Sequence, residues 1–201
     1  MQKAIGNYSG EQTGAYDSIG GDIDKIRQVE MVDQNPIGRS SRSNPVTYVG
    51  AWDEIRHLFA SQGSAKAIGL KPAAFSTNVE GGRCDVCQGE GVVKIEMQFM
   101  ADIYLPCEAC DGKRFKQHVL DITYKEKNVY EVLDMTVDEA MLFFGQEPKI
   151  IAKIKPLADV GLGYVHLGQA YNTLSGGEAQ RIKLASFLIK GNSIHKTLFI
   201  F

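Results

Sequence analysis

No apolar run in the 201 residues approaches the roughly 18 that a membrane-spanning helix needs, which excludes a helical integral membrane protein. Nor is there an excess of charge of either sign. The 22 Lys and Arg against 24 Asp and Glu leave a formal net charge of −2, so no global basic field announces a nucleic-acid partner and any such surface is local. The first residues, Met1 to Gly14, lack the basic start and apolar core of a secretory signal, and a cytoplasmic protein is expected. No repeat of roughly 20 to 50 residues is visible. What is present is an ordinary globular composition, 44% hydrophobic and 23% charged, in a length that suits one or two domains. Glycine is the exception. Its 21 copies are about 10% of the chain against about 7% usually, and they cluster around Gly81 to Gly91 and at Gly176 and Gly177.

Hydrophobic spacing gives a coarse map. Ile26, Val29, Met31 and Val32 suggest a strand within Ile23 to Asp33, ended by the loop at Pro36 and Gly38. Trp52, Ile55, Leu58 and Phe59 recur at helical spacing and predict a helix over residues 50–60. Val93, Ile95, Met97 and Phe99 alternate with Lys94, Glu96 and Gln98, which predicts a half-buried strand, with Ile103 and Leu105 starting its return. Leu120, Ile122 and Tyr124 suggest another strand. Thr136 and Glu139 offer a capping box for a helix carrying Ala140, Met141, Phe143 and Phe144. Pro148 can open the next helix, which Pro156 is expected to kink or divide.

All four cysteines lie in two pairs, Cys84-x-x-Cys87 and Cys107-x-x-Cys110, at the two ends of the expected hairpin. Two residues between thiols let one turn present both sulfurs at roughly 3.5 to 4 Å, the edge of a Zn–S4 tetrahedron. Gly89 and Gly112, two residues after each pair, let the backbone turn its N–H groups toward the sulfurs. Disulfides, a redox dithiol or an iron–sulfur centre compete with this reading. Paired cysteines at zinc-ribbon spacing in a cytosolic chain favour structural Zn2+, with no position left for a water ligand. Near the cysteines Asp85, Glu90, Glu96, Asp102, Glu108 and Asp111 outnumber Arg83, Lys94, Lys113, Arg114 and Lys116. A solvated surface is therefore the plain reading there, and Lys113-Arg114 is the best local candidate for phosphate contact.

Leu174-Ser175-Gly176-Gly177-Glu178 leads into a stretch where Ala179, Ile182, Ala185 and Ile189 share a helix face. Ser175 can cap that helix and Glu178 can reach back to close a capping box. Two glycines in a first turn disfavour the helix, so their missing side chains have a use: a bare N-terminus that a phosphate can approach. A simple capped helix after a glycine turn is the alternative.

Leu174 to Ala185, ending Glu-Ala-Gln-Arg-x-Lys-Leu-Ala, resembles the signature motif of ABC-type ATPases in the variant of the UvrA excinuclease family. Asp33-Gln34-Asn35-Pro36-Ile37-Gly38-Arg39 with Arg42 to Pro45 is similar to the glutamine loop of that family's second ATPase half. The segments around Gly81 to Met97 and Cys107 to Arg114 resemble its C-terminal zinc module, and Val132 to Val137 also fits, so the resemblance spans about Tyr16 to Phe201. There is no G-x-x-x-x-G-K-S/T, and the apolar Thr197 to Phe201 is similar to the strand before the family's catalytic carboxylates. A fragment without ATPase activity of its own is expected.

The resemblance implies a role in the DNA-damage sensor of nucleotide excision repair. Ser175, Gly176, Gly177 and Glu178 would meet the γ-phosphate of ATP·Mg2+ held by the other half, and Gln34 would sense the γ-phosphate in its own half. Lys66, Lys71, Lys113 and Arg114 are the DNA-contact candidates, with a solvated surface as the competing reading for each. Implied partners are damaged double-stranded DNA, UvrB and a second full-length copy. The rivals are a DnaJ-like zinc-binding interaction module, since Cys84-x-x-Cys87-x-Gly89-x-Gly91 also resembles that repeat, and a structural ABC linker without DNA affinity. The expected fold is α+β: a nucleotide-binding segment with the glutamine loop (1–45), helical signature-domain parts (46–80 and 119–190), a zinc module (81–118) and a partial nucleotide-binding strand (191–201).

Overall fold

The computed structural model describes residues 5, 15, 17–38, 42–97, 99, 102–189 and 196–201. Most of the lead-in, Tyr16, Arg39 and Gln98 lie outside the described residues.

The fold is α+β. A 3-10 turn at Ile23–Lys25 leads to β1 (Gln28–Met31). Helices α1 (Pro45–Tyr48), α2 (Ala51–Ala60) and α3 (Gly63–Ala67) follow, with a 3-10 turn at Pro72–Phe75. The cysteine module holds β2 (Val92–Ile95) and β3 (Ile103–Pro106). Beyond it come α4 (Gln117–Leu120), β4 (Thr123–Tyr124), β5 (Lys127–Asn128), α5 (Val129–Asp134), α6 (Val137–Phe143) and α7 (Pro148–Asp159). A 3-10 turn at Tyr171–Thr173 precedes α8 (Gly176–Ile189), and β6 (Thr197–Ile200) closes the order.

Local chemistry explains most boundaries. Asn44 caps α1 by accepting from Thr47 N at 3.0 Å, with Pro45 at the first helical position. Asn128 with Glu131 and Thr136 with Glu139 form reciprocal capping boxes for α5 and α6. Helix α2 buries Ala51, Trp52, Ile55 and Phe59 on one side, as its spacing dictates. These meet Phe75, Phe144, Ile154, Leu157, Leu162 and Ile182 in one core that also takes Ala179 and Ala185 of α8. Phe115, 1% exposed, carries the cysteine module into that core. Far from the core in sequence, β1 and β6 pair in parallel, Gln28 opposite Thr197 through Met31 opposite Ile200.

Three expectations need correction. The alternating strand after Cys87 stops at Ile95, and Val93 and Ile95 are 38% and 42% exposed with Phe99 at 96%, so neither face is half-buried against a core. The strand expected through Leu120, Ile122 and Tyr124 is confined to Thr123–Tyr124; Leu120 ends a short helix, because Val119, Leu120 and Ile122 all drop into the same core and a strand's alternation would send one of them outward. Pro156 does not divide α7, which runs through it to Asp159; the lost bond falls in the last turns, where few helical bonds remain to be broken.

Candidate metal centre and the double-glycine helix

The two knuckles meet face to face. The four cysteine sulfurs lie within 4.8 Å of one another, with Cys84 Sγ 3.9 Å from Cys107 Sγ and Cys87 Sγ 3.7 Å from Cys110 Sγ. A metal with four bonds of about 2.3 Å to sulfur has tetrahedral edges of about 3.8 Å, so the spacing fits such an ion. All four thiols are unpaired by disulfides, and Cys84, Cys87 and Cys107 are buried. Among the described residues no other His, Cys, Asp or Glu group gathers this way.

The backbone around the thiols is shaped for this. Gly89 and Gly112 adopt φ of +85° and +72°, and Gly91, at +79°, donates its N–H to Cys87 Sγ at 3.3 Å. A Cβ at Gly91 would come 2.7 Å from the Gly112 carbonyl, so the close approach of the two knuckles needs a glycine at position 91. Cys107 N donates to Gly91 O at 2.9 Å and Cys84 N to Arg114 O at 2.8 Å, which stitches the two knuckles across the centre. Burial pushes the Cys87 and Cys110 thiols above their ordinary values. At Cys84 burial acts in the same upward direction, but N–H groups of Cys87 and Val86 and the neighbouring thiols outweigh it, and its pKa falls. Four sulfurs crowded together form a donor set that a divalent cation would hold as four thiolates.

Ser175 caps α8 as its sequence predicts. Its N–H donates to Glu178 Oε2 at 2.7 Å and Glu178 N–H donates back to Ser175 Oγ at 3.3 Å. The Ser175 N–H and the Tyr164 hydroxyl hold the Glu178 carboxyl below its usual range. The two glycines differ. A Cβ on Gly176 would lie 3.0 Å from Gln34 Oε1 and 3.2 Å from Gln34 Cβ, so that glycine makes room for Gln34. A Cβ on Gly177 would meet nothing within 4 Å. Packing within the described residues therefore explains Gly176 and leaves Gly177 facing open space. No acceptor among the described residues meets either glycine's N–H.

Gln34 and Ser175 to Glu178 are thus neighbours, and side chains from α8 hold them so. Gln180 Nε2 donates to Val32 O at 2.6 Å, and Lys183 Nζ donates to Asp33 O at 3.2 Å and to the Asp33 carboxylate. Lys183 keeps the Asp33 carboxyl below its usual range. Sequence reasoning missed Gln180, Lys183 and Arg42; contacts between residues so far apart in the chain leave no signal in spacing. The four basic candidates do not form one cluster of shared bonds. Lys66 on α3 and Lys71 before the Pro72 turn are exposed. Lys113 is half-buried and pairs with Asp111 at 3.5 Å. Arg114 turns inward: Nη1 donates to Gly168 O at 3.2 Å, and burial lowers its pKa.

The site thus joins a four-thiol module set into a helical domain to a serine-capped double-glycine helix that packs on a glutamine-bearing loop. No family model matches the chain. It is 53% identical to UvrABC system protein A of Streptococcus pyogenes serotype M3 in an alignment of 203 positions that covers the whole chain, and 53% identical over 194 residues to that of Staphylococcus aureus. The solved structure of UvrA2 from Deinococcus radiodurans superposes with a TM-score of 0.83 over 90% of the chain at 47% identity. The chain belongs to the UvrA family, and it spans about a fifth of the length of these relatives, 21% and 20% of the two proteins and 22% of the solved chain.

Proposed function

We propose that the chain is part of the DNA-damage-recognition ATPase of bacterial nucleotide excision repair, the UvrABC system, working in the cytoplasm. Zn2+ on Cys84, Cys87, Cys107 and Cys110 would be structural: four thiolates fill a tetrahedral ion and leave no place for substrate. Ser175, Gly176, Gly177 and Glu178 would complete a composite ATP·Mg2+ site whose phosphates are cradled by another ATPase half, while Gln34 answers to the γ-phosphate of its own half. The observation that carries this reading is Gly177, a residue poor for helix stability at a helix N-terminus, whose missing side chain no packing among the described residues requires.

ATP would bias a closed arrangement of halves and its hydrolysis would release that bias, moving the zinc module against DNA. Duplex phosphates are the expected contacts, with deformability rather than base sequence sensed. Lys66, Lys71 and Lys113 are better placed for this than Arg114, whose guanidinium is already engaged by Gly168. UvrB and a second full-length copy would be the protein partners.

Fluorescence anisotropy of the chain with duplex DNA at several salt concentrations tests the nucleic-acid part. Binding should weaken linearly in log salt, and Lys113→Ala should reduce the slope by about 0.9 with little sequence dependence. Unchanged slope and affinity would remove Lys113. No binding at low salt would leave a structural segment without DNA affinity.

A further inference from the structure

We infer that Arg114 and Arg42 are positioning residues that couple the cysteine module to the approach of the double-glycine helix and to the Gln34 loop. Arg114 sits between both knuckles and the turn before the helix. Its carbonyl accepts from Cys84 N at 2.8 Å in the first knuckle, the adjoining Lys113 N–H donates to Cys110 O at 2.8 Å in the second, and the Arg114 Nη1 donates to Gly168 O at 3.2 Å. It does so at φ +70°, a left-handed conformation that bulky side chains rarely hold unless surrounding bonds impose it.

Gly168 is itself fixed. Its N–H donates to Leu133 O at 2.7 Å and Leu167 N–H to Met135 O at 2.8 Å, so the Arg114 guanidinium grips a turn anchored on α5. From Gly168 the chain runs through the Tyr171–Thr173 turn to Ser175. Tyr171 N–H donates to Ser43 O at 3.0 Å, which ties that approach to the segment following the Gln34 loop. The neighbouring Arg42 then returns to the metal centre: its Nη1 donates to the carbonyl of Gln88, between Cys87 and Gly89, at 3.2 Å. Gln88 is also left-handed, at φ +52°.

The bonds close a loop: first knuckle, Arg42, Ser43, Tyr171, Gly168, Arg114, second knuckle. With an ion on the thiols both knuckles are rigid and both arginines pull against fixed ends. Without it the ends slacken, and so does the approach to Ser175. The inference rests on the reading of the thiols as a metal site and extends it. Its test uses neither nucleotide nor DNA, so its failure leaves the proposed function standing, and absence of metal from the native chain would fail that reading separately.

Hydrogen exchange of the whole chain, zinc-loaded and then chelated, reads the coupling at the amides of Leu167 to Ser175. In the native chain chelation should speed their exchange about tenfold, the effect of losing one charge-assisted bond. Arg114→Gly keeps the left-handed backbone and removes the guanidinium; Arg114→Asn, which also tolerates that backbone, is the second variant. Both should still bind one zinc per chain by native mass spectrometry, exchange fast at Leu167 and Gly168, the turn Arg114 grips, with metal bound, and show no further acceleration there on chelation. Persistence of the metal dependence in either variant would overturn the inference. So would loss of zinc from both, because Arg114 would then serve to hold the ion rather than to transmit its presence.

Discussion

Removing the metal should unfold one part of this chain and spare the other. The thiols form a cluster of their own, separate from the main core. Around them, Val93, Ile95, Ile103 and Leu105 are all between 38% and 48% exposed and none enters a core, so the β2–β3 hairpin has only partial apolar burial to set against the roughly 1 to 2 kcal/mol per residue that ordering its backbone costs. An isolated two-stranded hairpin is marginal at best. A structural zinc supplies on the order of 10 to 16 kcal/mol in comparable small modules, so an ion on these thiols would stand in for the missing core. The helical core is built differently. Ile55, Phe59, Phe75, Phe144, Ile154, Leu157, Leu162 and Ile182 are fully buried, each contributing about 1.5 to 3 kcal/mol, and none belongs to the thiol cluster. Chelation should therefore raise exchange at the amides of residues 84–112 by about a thousandfold or more while the far-UV helical signal stays within about a tenth of its starting value. Cooperative loss of the helical signal with the metal would refute this separation, as would unchanged exchange in the module.

Two further outcomes follow from close contacts and from the raised thiols. Gly82 is buried and its carbonyl accepts from Lys116 N, and a Cβ there would fall well inside contact distance of the Ala74 carbonyl oxygen and 2.9 Å from Val119 Cγ2. Gly82→Ala should cost about 1 to 3 kcal/mol, read as a lowered urea midpoint, and an unchanged midpoint would contradict that packing. Burial keeps Cys87 and Cys110 protonated at neutral pH, and both must lose their protons to bind metal. Affinity should accordingly fall at least about a hundredfold for each pH unit on acidification, these two protons at least being taken up as the ion leaves; competition with a colorimetric chelator at several pH values measures this, and a flat profile would contradict it.

How far the sequence reaches depends on the range of the interaction. The capping boxes of Thr136 with Glu139 and Ser175 with Glu178 are readable because a cap needs only residues three apart, and the cysteine spacing is readable because one turn sets it. Asn128 with Glu131 carries the same signal, and sequence reasoning missed it. The hairpin differs from expectation because alternation shows that a strand has two faces and not whether anything packs on either. Leu120 and Ile122 differ because apolar spacing over three residues suits a strand or a helical turn equally. Nothing local marks the β1–β6 pairing, the seat of Gln34 against Gly176, or the inward turn of Arg114 at positive φ. Each depends on partners many tens of residues away.

X-ray absorption at the metal edge of the purified, reduced chain addresses the four-thiolate centre most directly. One zinc per chain with four sulfur neighbours at about 2.3 Å is the expected result. Iron in its place, fewer than four sulfurs in its shell, or cysteines found as disulfides with no metal at all would contradict it.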